Sequence, residues 1–107
     1  MDGSERHRER VTEADFTQAV IELAQFRQWH VTHFRPARTM KGWATPLQGN
    51  AGFPDLVLAR RGVVIHAELK TEKGRVTRAQ MTWAVALGST YRLWRPSDMD
   101  DITRELM

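Results

Sequence analysis

The chain has 107 residues, 27% of them charged and 41% hydrophobic, with a formal net charge of +3 and no cysteine. That length supports one domain whose core removes about two thirds of the surface the unfolded chain exposes; without cysteine, disulfide frameworks and thiolate metal sites are excluded and a reducing compartment is expected. The opening MDGSERHRER is too polar for a signal peptide, and no apolar run approaches the ~20 residues that cross a bilayer, so a soluble, cytoplasmic protein is expected.

Residues 1 to 11 lack apolar periodicity and are expected to fray. Thr12 is positioned to cap a helix from about Glu13 to Gln28, with Asp15 three residues on in a capping-box-like place. Its apolar stripe is Phe16, Val20, Leu23 and Ala24, which sets Glu13 on the stripe's edge and Glu22 on the opposite side. Trp29 to Phe34 alternates as a first strand. The stretch from Arg35 to Gly52, RPARTMKGWATPLQGNAG, has two prolines, three glycines and no hydrophobic period, and reads as a long functional loop.

Asp55 to Ala59 and Val63 to Leu69 read as strands of a hairpin with Arg61-Gly62 as its turn. If Arg60 pairs with Val63, residues whose numbers sum to 123 are opposed, and Asp55 faces Glu68. Opposed residues share a face, with Cβ atoms about 4.5 to 5.5 Å apart. Period two adds His66 and Lys70 to that face and sends Val63, Ile65, Ala67 and Leu69 to the other. A turn at TEKGR follows, then a helix over VTRAQMTWAVAL with Thr77 as N-cap and Gln80 as its box partner, its apolar surface supplied by Ala79, Trp83, Val85, Ala86 and Leu87. YRLW makes a fourth strand, and Pro96-Ser97 starts a short helix with Met99, Ile102 and Leu106 on one side. The order is αβββαβα, one α/β (α+β) domain from about residue 12 to 107 with a mixed sheet flanked by helices.

Charge along this order is uneven. From Arg35 to Arg95 there are eleven Lys and Arg but three acids, Asp55, Glu68 and Glu72, a balance of +8 against −5 for the flanks. Such a field favours a polyanion, because each cation that meets a phosphate releases condensed counterions. A solvated basic surface without a partner is the plainer alternative.

Two carboxylates held side by side repel and lose solvation, so a sequence that pairs Asp55 with Glu68 compensates them with cations. Lys70 offers one charge and a divalent ion offers two; Mg²⁺ takes one or two carboxylates with waters and phosphate oxygens, and activates water for phosphoryl displacement. Lys70 then orients or deprotonates the attacking water, or neutralises developing charge, and Glu13 can bring a third carboxylate. Taken singly, each residue has a plainer role: Asp55 after Pro54 as a turn residue, Glu68 and Lys70 as a surface ion pair, Glu13 as a complement to the helix dipole, Gln80 as a cap alone. His66 reads as a packed or exposed histidine, and His30 and His33, on opposite faces, do not make a shared metal site.

GFPDLVLAR followed by AELKTEKGRVTRAQ resembles the PD-(D/E)XK nuclease superfamily, with Pro54-Asp55 as PD and Glu68-Leu69-Lys70 as ExK. More narrowly it resembles the VRR-NUC family of virus-type replication and repair nucleases, stand-alone phage type, over about Thr12 through YRLWRPSDMDDI. The resemblance implies a restriction-endonuclease-like fold and a Mg²⁺- or Mn²⁺-dependent nuclease. In it Asp55 and Glu68 bind metal with the Leu69 carbonyl, Lys70 assists the water, and Glu13 and Gln80 match the family's helix-one glutamate and following glutamine. It also implies cleavage of branched, flapped or Holliday-junction-like DNA in phage replication, repair or recombination, in a host-cell cytoplasm, by a homodimer. Trp43, Trp94 and the C-terminal helix are the exposed interface candidates, and Arg35, Arg38, Lys41, Trp43, Lys73, Arg75 and Arg78 the DNA contacts, by charge and stacking. Relatives carry Gly-Trp at the end of helix one where this chain has Gln28-Trp29. The alternatives are a nucleic-acid-binding module that does not cleave, or an accessory protein active only with a partner.

Overall fold

Thr12 is extended (φ −73°, ψ 160°) and its Oγ1 accepts from the Asp15 amide at 3.0 Å, which caps helix α1 over Glu13–Phe26. The computed structural model describes residues 10–34, 37–39, 42–44 and 48–107, and of 37–39 and 42–44 the backbone alone. Val11, within the segment expected to fray, packs against the core. α1 ends two residues before the expected Gln28. There the Trp29 amide reaches back to the Ala24 carbonyl and the Gln28 amide to that of Gln25, both at 2.9 Å, and Gln28 takes φ 68°. This closure places its left-handed residue where glycine is the usual choice, so Gln28 carries a local strain.

Strand β1 follows at His30–His33. The expected loop then contains a short antiparallel hairpin, β2 (Ala37–Thr39) with β3 (Gly42–Ala44). The loop thus carries two short strands that sequence did not show, because three-residue strands are too short to display a hydrophobic period. Strands β4 (Leu56–Arg60) and β5 (Val63–Leu69) pair antiparallel with Arg60 opposite Val63 and Leu56 opposite Ala67, the register counted from sequence. Arg61 and Gly62 both have positive φ, 51° and 80°, the mirror-image turn whose twist matches a two-residue hairpin.

Helix α2 spans Arg78–Leu87, capped by a full Thr77–Gln80 box, and carries the chain over to β6 (Tyr91–Trp94), which lies parallel to β5. A 3₁₀ turn at Pro96–Asp98 leads into α3, Met99–Leu106. Among the described residues this is a compact α+β domain: a four-stranded mixed sheet in the order β1-β4-β5-β6 and three α-helices, with the β2–β3 hairpin apart from the sheet. Among the described residues, no helix is long and apolar enough to cross a membrane.

One sheet face presents Leu56, Leu58, Ile65, Ala67 and Leu69, and these close against Phe16, Val20 and Ala24 of α1 and Ile102 and Leu106 of α3. Each of the larger of these side chains contributes roughly 1.5–3 kcal/mol by leaving water. Trp29 joins them and donates its Nε1 to the Leu106 carbonyl at 3.0 Å, tying α3 to the exit of α1. Trp94, expected at an exposed interface, is 5% exposed, because its place opposite Leu69 puts it on the core face. The C-terminal helix likewise turns its apolar side inward, leaving Asp100, Asp101, Arg104 and Glu105 outside.

Candidate active site

At the end of the hairpin away from its turn, Asp55 stands one residue before β4 and Glu68 one residue before the end of β5. Asp55 continues the pairing of β1 with β4, since its carbonyl accepts from the Phe34 amide at 2.9 Å. Its side chain turns to the other neighbour: Oδ2 accepts from the Leu69 amide at 2.9 Å. Leu69, expected to contribute its carbonyl, also meets the site through its N–H. Glu68 is 3% exposed, so the alternative of a surface ion pair with Lys70 does not hold.

Burial pushes the Glu68 carboxyl up to about 8; a hydrogen bond to the Asp55 side chain and the Asp55 charge add to this, Glu13 adds a little more, and Lys70 pulls the other way. Glu68 therefore holds its proton well above the usual carboxylate range, beside Asp55. This is the balance of a site short of positive charge, in which one cation from the protein is present and insufficient.

Gln80 combines the two roles that sequence left open. Its Oε1 accepts from the Thr77 amide at 2.9 Å, completing the cap of α2, and its Nε2 donates to Glu68 Oε1 at 3.2 Å. The side chain can do both because the first turn of α2 arrives directly above the end of β5. Lys70 is half-buried and fixed through its backbone, its amide donating to the Trp94 carbonyl at 3.0 Å; its ammonium makes no direct ion pair among the described residues. Glu13 is exposed on the first turn of α1, at the rim of a cleft of about 430 Å³ that also takes in Gln18, His33, Phe34 and Asp55. It stands near the carboxylate pair without merging with it: among the described residues no three His, Asp or Glu side chains form one ligand group.

The approach to Asp55 is held from the α2 side. Gly52 has φ 96°, and a Cβ there would lie 2.6 Å from the Ala79 carbonyl carbon, so loop and helix backbones meet where no other residue fits. Trp83 Nε1 donates to the Asn50 carbonyl at 3.2 Å, and Phe53 makes edge-on contacts with Trp83 (4.9 Å), Phe34 (5.7 Å) and His66 (5.8 Å). His66 is a packed histidine, its Nδ1 2.8 Å from Thr90 Oγ1. Beyond Lys70, Arg95 Nη1 binds the Thr71 and Gly74 carbonyls at 2.6 and 2.8 Å and fixes the turn. That turn and the start of α2 leave Lys73, Arg75 and Arg78 exposed around the Gln80 side of the site. Arg35 and Lys41, and the side chains of Arg38 and Trp43, lie outside the described residues.

The donor set suits a hard divalent cation. Mg²⁺ is satisfied by one or two carboxylates with water completing its shell, and a buried carboxyl that keeps its proton beside a second carboxylate gains most from such an ion. Asp55 and Glu68 would hold it, with Glu13 in the same cleft as Asp55. Sequence reasoning missed Tyr91 on β6, whose hydroxyl is buried close enough to Glu68 and Asp55 to feel both charges. It also missed His33 in the cleft; its β1 alternation was readable, but not that α1 would leave space there. No family model, no curated protein and no solved structure matches the chain.

Proposed function

We propose that the protein is a Mg²⁺- or Mn²⁺-dependent DNA endonuclease of the PD-(D/E)XK type, related to the VRR-NUC family and selective for branched, flapped or junction DNA in phage replication, repair or recombination. The observation that carries this reading is the convergence of Asp55, Glu68, Lys70 and Gln80, with Asp55 Oδ2 on the Leu69 amide and Gln80 on Glu68, at one end of a counted hairpin. With the separate β2–β3 hairpin set aside, the elements around the mixed sheet follow the order αβββαβα, which supports the fold assignment.

Asp55 and Glu68 would hold the ion, which would lower the pKa of the attacking water and neutralise charge at the phosphoryl group. Gln80 fixes the Glu68 carboxylate through Oε1, and the Leu69 amide fixes Asp55 through Oδ2, so neither ligand must be ordered when substrate arrives. Lys70, near enough to Glu68 to oppose its loss of acidity, steadies the proton leaving the water or the charge that follows. Lys73, Arg75 and Arg78, exposed beside the site, receive the flanking phosphates. DNA affinity should therefore fall steeply with salt.

The test is cleavage of a supercoiled plasmid, a linear duplex and a four-way junction of matched sequence with Mg²⁺, Mn²⁺ or EDTA, beside Glu68→Ala. Metal-dependent cutting that the substitution abolishes supports the nuclease, and the substrate ranking identifies its preferred structure. Substrates that are bound yet stay whole with both metals would overturn it in favour of a binding module or a partner-activated protein.

A further inference from the structure

The loop that leads to Asp55 and the second helix enclose a space that the proposed reaction does not use. Among the described residues, the backbone and side chains of 49–51 form one wall of a cavity of about 400 Å³, and Ala79, Thr82, Trp83 and Ala86 form the other. Spacings of three and four residues put those four on one side of α2. The two walls are fixed to each other. A Cβ on Gly52 would lie 2.6 Å from the Ala79 carbonyl carbon, and Trp83 Nε1 donates to the Asn50 carbonyl at 3.2 Å. Phe53 meets the indole edge-on at 4.9 Å, so Trp83 is half-buried, held in one orientation, and still lines open space. A tryptophan that serves packing alone has no need of that space, whereas a stacking platform does.

The lining decides what the cavity accepts. Its walls are mostly small and apolar, and its polar side chains are Asn50 and Thr82, both exposed. The Thr82 hydroxyl donates to the Arg78 carbonyl at 3.1 Å, which leaves its oxygen free to accept. Among the described residues no acid lines the cavity. Arg78, exposed and one turn ahead of Thr82 on the same side of α2, brings a cation to the end nearest Gln80. An aromatic wall, two hydrogen-bonding side chains and a neighbouring cation match the face, the edge and the phosphate of one unpaired nucleotide. A base inside a duplex has its faces and its edge engaged already, and does not enter.

We infer that this cavity is a binding site for one unpaired nucleobase of the DNA strand that reaches the carboxylate pair, stacked on Trp83. The path is short: Ala79 adjoins Gln80, which bonds to Glu68, and Gly52 stands three residues before Asp55. The inference rests on the DNA reading above and gives its selectivity a physical source, since flapped or branched DNA offers a free base beside the cut and continuous duplex does not.

Ala86→Leu fills the cavity from an exposed helical position with a good helix former, and Val85→Leu adds bulk to the same helix outside the lining. Affinities are read in EDTA by fluorescence anisotropy for a fully paired duplex and for the same duplex carrying a single-stranded flap. Ala86→Leu should bind the flapped DNA about tenfold more weakly and the duplex equally well, and Val85→Leu should match the wild type on both. A 2-aminopurine stepped along the flap should be quenched at one position by the wild type and at none by Ala86→Leu. Equal affinity of Ala86→Leu and wild type for the flap, or an equal loss on both DNAs, would overturn the base site. If Mg²⁺-dependent cutting accompanies such a result, the nuclease stands without it. A flap preference that Ala86→Leu removes, in a protein that cuts nothing, keeps the base site and overturns the nuclease. If the wild type binds neither DNA, both fall together.

Discussion

Helices α1 and α2 both begin beside the carboxylate pair, yet they are attached to the sheet by different means. α1 buries Phe16, Thr17, Val20 and Ala24 in the core it shares with α3. α2 buries no residue, and leaves Met81 58% and Val85 84% exposed. What holds α2 is the cap at Thr77, the Gln80–Glu68 hydrogen bond, the Trp83–Asn50 bond and the close approach of Ala79 to Gly52. Almost all of these are contacts with the elements that carry Asp55 and Glu68. The domain thus separates a helix that stabilises the sheet from one that organises the site, and a change in either should affect the two properties unequally.

The largest separation is expected between Phe16→Ala and Val85→Ala. Phe16 is 3% exposed in the core, and truncation there should cost about 3–5 kcal/mol; Val85 meets solvent, and its loss should stay within about 0.5 kcal/mol. Urea unfolding of the two variants measures both, and a Val85→Ala cost comparable to that of Phe16→Ala would show that α2 carries hidden core packing.

The second expectation concerns pH in the metal-free protein. The Glu68 pKa rises from 4.5 unfolded to about 8 folded, so the folded state holds the proton more tightly. Its contribution is present below about pH 4.5 and is lost as pH rises through about 8, a difference on the order of a few kcal/mol for a buried group. Relative to Glu68→Gln, wild type should therefore lose stability steadily across that window, and saturating Mg²⁺ should restore it. A flat difference between the two proteins would mean that Glu68 is solvated or already compensated. Melting curves at a series of pH values, with and without the ion, decide it.

How far the sequence disclosed these features follows from the range of the interactions involved. The Asp55–Glu68 juxtaposition was legible because a two-residue turn at Arg61-Gly62 sets a register that counting can follow, and Thr12, Thr77 and Gln80 were legible because caps act within one turn of helix. Trp94 was misplaced, and Tyr91 overlooked, for one reason: nothing in YRLW tells which edge of the sheet it joins or in which direction, and the parallel register with β5 decides what each of its side chains meets. The capping role of Gln80 is local, whereas its bond to Glu68 depends on where the β5–α2 crossover sets the helix down. Of the apolar residues of α2, Trp83 packs edge-on against Phe53 whereas Val85 stays exposed, since periodicity records where an apolar stripe lies and not how much of it is covered.

Gly52→Ala tests the loop side of the same helix. The added methyl would lie 2.6 Å from backbone of Ala79 at φ 96°, so either the loop or α2 must shift, at a cost of about 2 kcal/mol. Gly52 is three residues from Asp55, and the shift should be felt there as weaker Mg²⁺ binding, by calorimetry, than in Gly62→Ala, whose added Cβ meets nothing and whose strain is confined to the far turn. Equal ion affinity in both variants would detach α2 from the placing of Asp55.

The smallest effect should come from the exit of α1, where the comparison can be sharpened without touching the site. Gln28 holds φ 68° to let the Gln28 and Trp29 amides turn back onto α1, a conformation that costs a side-chain-bearing residue about 1 kcal/mol and glycine almost nothing. Gln28→Gly should therefore stabilise the protein by up to about 1 kcal/mol, less the entropy glycine adds to the unfolded chain. It should leave Mg²⁺ affinity and cleavage unchanged, because Trp29 stays packed and bonded to Leu106 at the far end of the sheet. A gain in stability with no change at the site is the signature of an element whose work is confined to the scaffold, and an altered ion affinity would instead reveal that strain at the end of α1 reaches Glu13 at its beginning.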